Sequence, residues 1–482
     1  MHSLLYITGM TLLWILIAVT IIHVVLDNKQ PAKTMAWALV ILFVPVIGVV
    51  FYLFFGINHR KERLISQRSV DQLSKRSMLS FVEQHDLHVS ERYKQLVDLF
   101  VNQNLSLPFM DNQIDIMTDG YAFFPELLKD IAAARHHIHI DMYIFEDDAL
   151  GRLMADALID KAQQGVEVRV VYDDVGCWKT SHRFMERMRE QGIEVAPFLP
   201  VRFPSFTSKA NYRNHRKIIV IDGVIGYIGG MNIAQRYVKG RGGQAWRDTM
   251  LRLTGGIVYG LQRAFLVDWY FVDRTLITDR QYYPAQEKNP SSAISPQKGG
   301  ALAQIVTSGP LSQYPEIMQG YVRAITAARK YIYIETPYFL PNEPVLFALK
   351  TAATAGVDVC LLCPRHSDAR FTEWAGRSYL RELSEAGARV SLYQSGFLHS
   401  KLMIVDDSLS TCGSTNVDVR SFENNFESNV FIYDEGTALR LKKVFLDDLA
   451  QSVPLSDVPS WSHPKFMQRL WESLTRLLTP LL

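Results

Sequence analysis

His215 and Lys217 stand two residues apart in Asn214-His215-Arg216-Lys217, ahead of an apolar run to Ile221, then Asp222, then the turn Gly229-Gly230-Met231-Asn232. The same order recurs at His399, Lys401, Asp406 and Gly413-Ser414-Thr415-Asn416. In both copies the aspartate lies seven residues after the histidine and the asparagine ten after the aspartate. A lone histidine is usually a satisfied core residue. Two copies with identical internal spacing, 184 residues apart, point instead to chemistry.

An imidazole beside an ammonium, delivered twice to one cleft, suits a phosphodiester. Lys217 and Lys401 would bring positive charge to the non-bridging oxygens, and Asn232 and Asn416 would add neutral donors at the turn ends. Ser414 would supply a hydroxyl to the second phosphate contact, and Gly230 stands in its place in the first copy. One imidazole can attack phosphorus while the other protonates the leaving alcohol, and the roles reverse when a second alcohol attacks. That division needs one neutral and one protonated ring, which carboxylates nearby can arrange. Asp248, in Trp246-Arg247-Asp248-Thr249, and Glu427, in Asn425-Phe426-Glu427-Ser428-Asn429, follow the histidines of their own copies by 33 and 28 residues and are the candidates for orienting the rings. A metal site fits poorly, because each copy sets a lysine where a second ligand would be wanted. His136, His137 and His139 read as strand or helix-end residues.

These side chains need a strand to hold them. The run Ile218 to Ile221 is β-branched and too short for a helix, so Asn214 to Ile221 reads as a buried strand on which His215 and Lys217 share a face. Asp222 falls at its end, placed to brace the turn. From about Leu107 the chain is α/β: strand-like Ile138 to Phe145, helix-like Leu150 to Gln164, then strand-like Val166 to Tyr172 and Ile193 to Phe198. The later half echoes it. Ile138-His139-Ile140-Asp141 matches Ile332-Tyr333-Ile334-Glu335, and Gly165-Val166-Glu167-Val168 matches Gly356-Val357-Asp358-Val359. The expected organisation is a duplicated α/β domain, 108–280 and 301–455, joined by a polar Pro- and Ser-containing linker at 281–300. A basic helical linker, 59–107, precedes it, and an amphipathic tail, 456–482, follows.

The ends of the chain are apolar. Leu4 to Leu26 carries no Asp, Glu, Lys or Arg and is long enough to cross a bilayer; it lacks the basic start and small-x-small site of a cleaved signal. Met35 to Phe55 is again uncharged, with Pro45 and Gly48 tolerable inside a span. The pattern predicts a two-helix transmembrane hairpin over 1–58. Arg60, Lys61, Arg63, Arg68, Lys75 and Arg76 outnumber Lys29 and Lys33 of the turn, which places both ends in the cytoplasm and sets the cluster against anionic headgroups. The loop Pro200 to Lys209, with Phe203 and Phe206 beside Arg202 and Lys209, also has a membrane-facing composition. In the tail, Phe466, Leu470, Leu474, Leu477, Leu478 and Leu481 recur at helical spacing, as in an interfacial helix or a helix docked on a core. With 51 Lys and Arg against 49 Asp and Glu, no global basic field suggests a nucleic-acid coat. Cys177, Cys360, Cys363 and Cys412 make no disulfide framework; the C-x-x-C at 360–363 lies in a strand, has no second pair, and reads as structural thiols.

Both copies complete the pattern H-x-K-x-x-x-x-D with G-[GS]-x-N, which resembles the phospholipase D superfamily from about residue 108 to 450. Met35-Ala36-Trp37 with Pro45 and Gly48, Trp246 to Thr249, Thr336-Pro337-Tyr338-Phe339, Asn416 to Phe422, and Thr479-Pro480-Leu481-Leu482 narrow the resemblance to bacterial cardiolipin synthases. That resemblance implies two α/β/α halves around one shared active site, with His215, Lys217, Asp222, His399, Lys401 and Asp406 as the catalytic set. It implies transfer of a phosphatidyl group between two phosphatidylglycerols, giving cardiolipin and glycerol, with neither metal nor cofactor, His215 attacking and His399 acting as acid. It further implies the bacterial cytoplasmic membrane, catalytic halves inside, with anionic lipids and not nucleic acid as partners. A lipid hydrolase, or a transferase using phosphatidylethanolamine or serine, would use the same site. Two departures stand out. Gln235 replaces an expected acidic residue, and Val238 to Gln244 is a glycine-rich insertion beside it, so acceptor choice could differ.

Overall fold

The computed structural model describes residues 2–27, 31–56, 91–201, 211–240, 242, 245–284 and 300–479. It forms two compact units, Met1–Arg63 with Val201–Tyr212, and Leu64–Pro200 with Arg213–Leu482.

In the first unit, the helix His2–Asp27 contains the stretch Leu5–Leu26, long and apolar enough to cross a membrane. The second apolar stretch, expected as one span, is broken. It makes a helix Pro31–Phe43, a second helix Pro45–Phe51 and a π turn Tyr52–Gly56. Pro45 has no N–H to donate, and its ring drives Val44 out of helical geometry (φ −131°, ψ 68°). Gly48 makes the break compact, since a Cβ there would stand 2.7 Å from the Val40 carbonyl oxygen. Ile17 and Val24 of the long helix pack with Ile41, Val49 and Tyr52, and the Tyr52 hydroxyl lies 3.0 Å from His23 Nδ1. The basic residues between 60 and 76, and the loop residues Arg202, Phe203, Phe206 and Lys209, lie outside the described residues.

The second unit is built on one 16-stranded sheet. From its centre, the first half runs Phe109–Met117, Met250–Thr254, Ile225–Gly229, Lys217–Ile221, His137–Met142, Glu167–Asp173 and Glu194–Phe198. The other half runs Ala301–Ser308, Asn425–Ile432, Leu409–Gly413, Leu402–Val405, Tyr331–Glu335, Asp358–Pro364 and Arg389–Tyr393, with Ser452–Pro454 at the edge. The two orders correspond strand for strand, so the duplication seen in the sequence is a duplication of topology. The halves join antiparallel where Phe109 faces Ala303. In each half the three outer strands pair in parallel, as β-α-β crossovers require, and the inner ones pair antiparallel.

Two apolar cores follow. Phe123, Leu127, Ile138, Val168 and Ile219 belong to the first, and Ile317, Tyr321, Ile332, Leu361 and Met403 to the second. Tyr93, Leu96 and Phe100 of the helix Glu91–Asn104 are part of the second core, so this portion of the expected linker is packed structure. His137 and His139 are core residues, bridged by Gln262, with His139 stacked on Phe265 at 4.3 Å. Cys360 and Cys363 are buried free thiols of one strand.

Candidate active site

The strand predicted over Asn214 to Ile221 is interrupted. Arg213–Asn214 pairs in parallel with Asn425–Phe426 of the opposite half, and Lys217–Ile221 pairs with strands of its own half. The chain changes partner at His215 and Arg216, and the His215 N–H donates to the Phe426 carbonyl at 2.9 Å. The second copy repeats the manoeuvre. Phe397–Leu398 pairs in parallel with Trp246–Arg247 of the first half, the His399 N–H donates to the Arg247 carbonyl at 2.7 Å, and Leu402–Val405 then rejoins its own half.

These two-residue bridges decide which carboxylate meets which ring. Asn214 faces Phe426, so the next residues, His215 and Glu427, meet; Leu398 faces Arg247, so His399 meets Asp248. His215 Nδ1 lies 3.0 and 3.1 Å from the two Glu427 carboxylate oxygens, and His399 Nδ1 lies 2.6 Å from Asp248 Oδ2. Sequence spacing suggests a histidine and carboxylate of the same copy. The structure corrects that pairing: each carboxylate crosses to the other half. A carboxylate can only accept, so Nδ1 carries the hydrogen in each ring and Nε2 is left for the cleft.

Ser414, expected at the phosphate, is reassigned by the geometry. It is fully buried; its hydroxyl donates to Glu427 Oε2 at 2.5 Å and accepts from the Ser428 N–H at 3.0 Å, supporting the carboxylate from behind. Gly230 occupies the matching place because a Cβ there would fall on the Asp248 carboxylate, far inside contact distance. The shorter acid lies directly against the backbone where the longer one is held by a hydroxyl.

Asp222 and Asp406, which the resemblance counts with the catalytic set, brace the backbone, as the strand-end position of Asp222 suggests. Asp222 accepts from the backbone N–H groups of Arg135, His136 and His137 at 2.7–2.9 Å. Asp406 accepts from those of Arg329, Lys330 and Tyr331 at 2.7–2.8 Å and pairs with Arg92. Both adopt the left-handed conformation (φ 54° and 51°) that aspartate tolerates in turns. Each locks the hairpin to the start of the neighbouring strand and so sets the height of its histidine in the sheet.

His215, His399, Asn232 and Asn416 open onto one cleft of about 340 Å³. Asn232 accepts from the Ile144 N–H at 3.1 Å and donates to the Tyr237 hydroxyl at 2.8 Å, a fixed part of the wall. Lys217 and Lys401 lie behind the histidines, buried, each donating to the carbonyl of the histidine two residues before it. Six further residues line the wall: Tyr143, Arg236 and Tyr237 carry no motif signal, and Trp246, Tyr338 and Arg420 stand in the segments that carry the family resemblance. Tyr143 packs edge-on against His215 at 4.9 Å, and Trp246 lies 5.3 Å from the ring of His399. The structure ends the two central strands at Met142 and Glu335, which puts Tyr143 and Tyr338 just past corresponding strand ends; the sequence pattern carries the first strand on to Phe145.

The charges are arranged around the cleft that the two rings share. Burial lowers the His215 imidazolium, with Glu427 opposing and Lys217 reinforcing the shift. Burial, then Lys401, bring His399 down to about 4 against the pull of Asp248. Burial would raise Glu427 and Asp248, but His215 and Lys217 hold the first, and Lys401 and His399 the second, below ordinary carboxylate values. Both rings are therefore neutral and both carboxylates charged at neutral pH. An anionic phosphodiester between the rings offsets the lysine repulsion and favours protonating one of them.

Burial also lowers the Lys217 ammonium to about 7. A lysine with a depressed value is charged below it and neutral above it. If this charge serves the reaction, kcat/KM should fall as pH rises through about 7. Lys217→Arg, charged throughout, should flatten that limb at a reduced rate. A pH–rate profile from 5.5 to 9 decides it, since a limb unchanged in the arginine variant would exclude Lys217 as its source.

Residues 127–250 and 321–449 match the family described as "Cardiolipin synthase, PLD-like domain", and residues 12–56 match "Phospholipase_D-nuclease N-terminal". The cardiolipin synthase of Geobacillus sp. (strain WCH70) is 39% identical over 464 residues, covering 95% of this chain and 90% of that protein. The major cardiolipin synthase of Bacillus subtilis (strain 168) is 37% identical over 484 residues, covering 97% of each. A crystal structure of phosphatidylserine synthase from Haemophilus influenzae Rd KW20 shares the fold, with a TM-score of 0.61 at 15% identity over 81% of this chain and 100% of that one.

Proposed function

The chain belongs to the cardiolipin synthase family, with two phospholipase D-like halves, and is a phosphatidyltransferase; we propose that it moves a phosphatidyl group from one phosphatidylglycerol to another, giving cardiolipin and glycerol. The observation that carries the mechanism is the crossed pair of buried carboxylates, which turns one imidazole from each half, Nε2 foremost, toward a single cleft.

In the first step, His215 Nε2 attacks phosphorus and the glycerol oxygen leaves, taking the proton from His399 Nε2. The phosphatidyl group is then bonded to His215, whose positive charge Glu427 balances through Nδ1. In the second step, the primary hydroxyl of another phosphatidylglycerol gives its proton to His399 and attacks the same phosphorus, releasing His215. An imidazolium as acidic as that of His399 is a ready donor once the bound phosphate has helped to charge it. Lys217 and Lys401 hold the field at the phosphate positive, and Asn232 and Asn416, both in the cleft wall, shape the site for its oxygens. The assignment of attack to His215 rests on the family resemblance.

The protein is membrane-associated, as its family and the Leu5–Leu26 helix indicate. Our reading extends to two passes over 1–58 with both catalytic halves, 108–280 and 301–455, on the cytoplasmic face. It is supported by the excess of basic residues from Arg60 to Arg76 over the turn between the apolar stretches.

Purified protein in phosphatidylglycerol vesicles should produce diphosphatidyl lipid and glycerol in equal amounts, without added metal. Phosphatidic acid as the main product would make it a hydrolase. Preferential transfer to serine, or from phosphatidylethanolamine, would replace the proposed donor or acceptor.

A further inference from the structure

The helix Phe466–Leu477 is mounted with its polar face inward. Glu472, fully buried, accepts from Arg381 at 2.7 Å; Arg476 pairs with Glu382 at 2.6 Å, donates to Ser378 at 3.1 Å and lies 4.0 Å over the Tyr379 ring. Thr475 and Thr479 are buried beside them. The opposite face carries Phe466, Met467, Leu470, Trp471, Leu474 and Leu477 into solvent, with Phe466 77%, Trp471 55% and Leu477 75% exposed. At 100° per residue these six fall on one stripe, which an ordinary docked helix would bury.

Along the helix itself, the exposed charges beside the stripe have one sign. Glu472 is the helix's single acid, and it is buried in its ion pair. Lys465 and Arg469 are exposed at the same end. A face that is apolar and rimmed only by cations complements an anionic lipid surface. It is a poor match for a second copy of itself, because two such helices would bring their cations together.

The mounting also relates the stripe to the cleft. Glu472 meets Arg381 and Thr479 reaches Tyr379, so the helix runs antiparallel to Arg370–Glu385 and its end points toward that helix's start. Ala369 and Thr372 at that start line the cleft, and Phe371 between them is 64% exposed. From Tyr379 to Thr372 is seven residues, roughly 10 Å along the helix axis.

We propose that the apolar face of Phe466–Leu477 is a docking surface for an anionic bilayer, on which the catalytic unit rests with its cleft within reach of the headgroups. The polar side is already satisfied by protein, so the helix does not need to detach or refold to insert.

The test uses the full-length protein in vesicles and needs no turnover, so its failure is distinct from failure of the transfer reaction. The four native cysteines are buried, which allows bimane to be placed on Leu470→Cys, on Leu474→Cys and, as control, on Glu190→Cys in the exposed end of another helix. In vesicles of phosphatidylglycerol with a fixed share of bromine-labelled phosphatidylcholine, quenching at 470 and 474 should exceed that at 190 several-fold, and should weaken when unlabelled phosphatidylcholine replaces the phosphatidylglycerol at constant bromolipid. Equal quenching at all three positions would overturn the proposal. So would Leu474→Cys disulfides between copies that form in proportion to protein density while bromolipid quenching stays at control level, which would assign the face to a second copy.

Discussion

Alanine at His215 or at His399 is expected to lower phosphatidyl transfer by about 10⁴-fold or more, and alanine at both should lower it little further. The reason is that the two rings serve one phosphorus. Without the attacking ring there is no covalent intermediate. Without the acid, the glycerol oxygen must leave as an alkoxide and the second alcohol has no base. Neither change should unfold the protein, since both side chains form the wall of a cleft that accommodates a smaller group. Rates measured on phosphatidylglycerol vesicles, with thermal melts as the folding control, check this. A single variant retaining a tenth of wild-type activity would remove that histidine from the mechanism.

Glu427→Gln and Asp248→Asn are expected to cost about 10³–10⁴-fold each, the scale on which a histidine loses function when its carboxylate partner becomes an amide. Size and position are kept, but an amide can present N–H where the carboxylate only accepted. The ring then turns its unprotonated nitrogen inward, and Nε2 carries the hydrogen. At His215 that removes the lone pair that attacks. At His399 the lost negative charge pushes an imidazolium already near 4 further down, so the acid is not charged when needed. The crossing gives this prediction its address. Nitrogen NMR of the imidazoles should show the tautomer changing at His215 in Glu427→Gln and at His399 in Asp248→Asn. The reverse assignment would mean that each carboxylate serves its own copy.

That crossing marks the limit of what the sequence could carry. Duplication, the α/β class and the four cleft residues His215, His399, Asn232 and Asn416 were legible because repeated spacing survives in a linear text. The partner of each carboxylate was not, because it depends on two-residue bridges, Arg213–Asn214 with Asn425–Phe426 and Phe397–Leu398 with Trp246–Arg247. Such bridges are too short to leave a periodic trace, and they join positions about 150 and 210 residues apart. The bracing role expected of Asp222 at the strand end was legible from its offset, and Asp406 shares it, each held by three backbone N–H groups. The support that Ser414 gives Glu427 was not, because the first copy has Gly230 in that place. The break before Pro45 was visible in the sequence. Whether Val44 would leave the helix depended on Gly48 letting the pieces close up. In the tail, periodicity showed an apolar stripe but could not show that Arg381 and Glu382 would capture the polar side.

The central claim is a phosphorus–nitrogen bond on one of two facing rings. Turnover on phosphatidylglycerol, quenched in alkali and followed by peptide mapping, should show the mass of a phosphatidyl group on the peptide containing His215 and none on that containing His399. An adduct on His399 would exchange the two roles. Full transfer with no adduct on either ring, and inversion at a chiral phosphorus, would contradict the account.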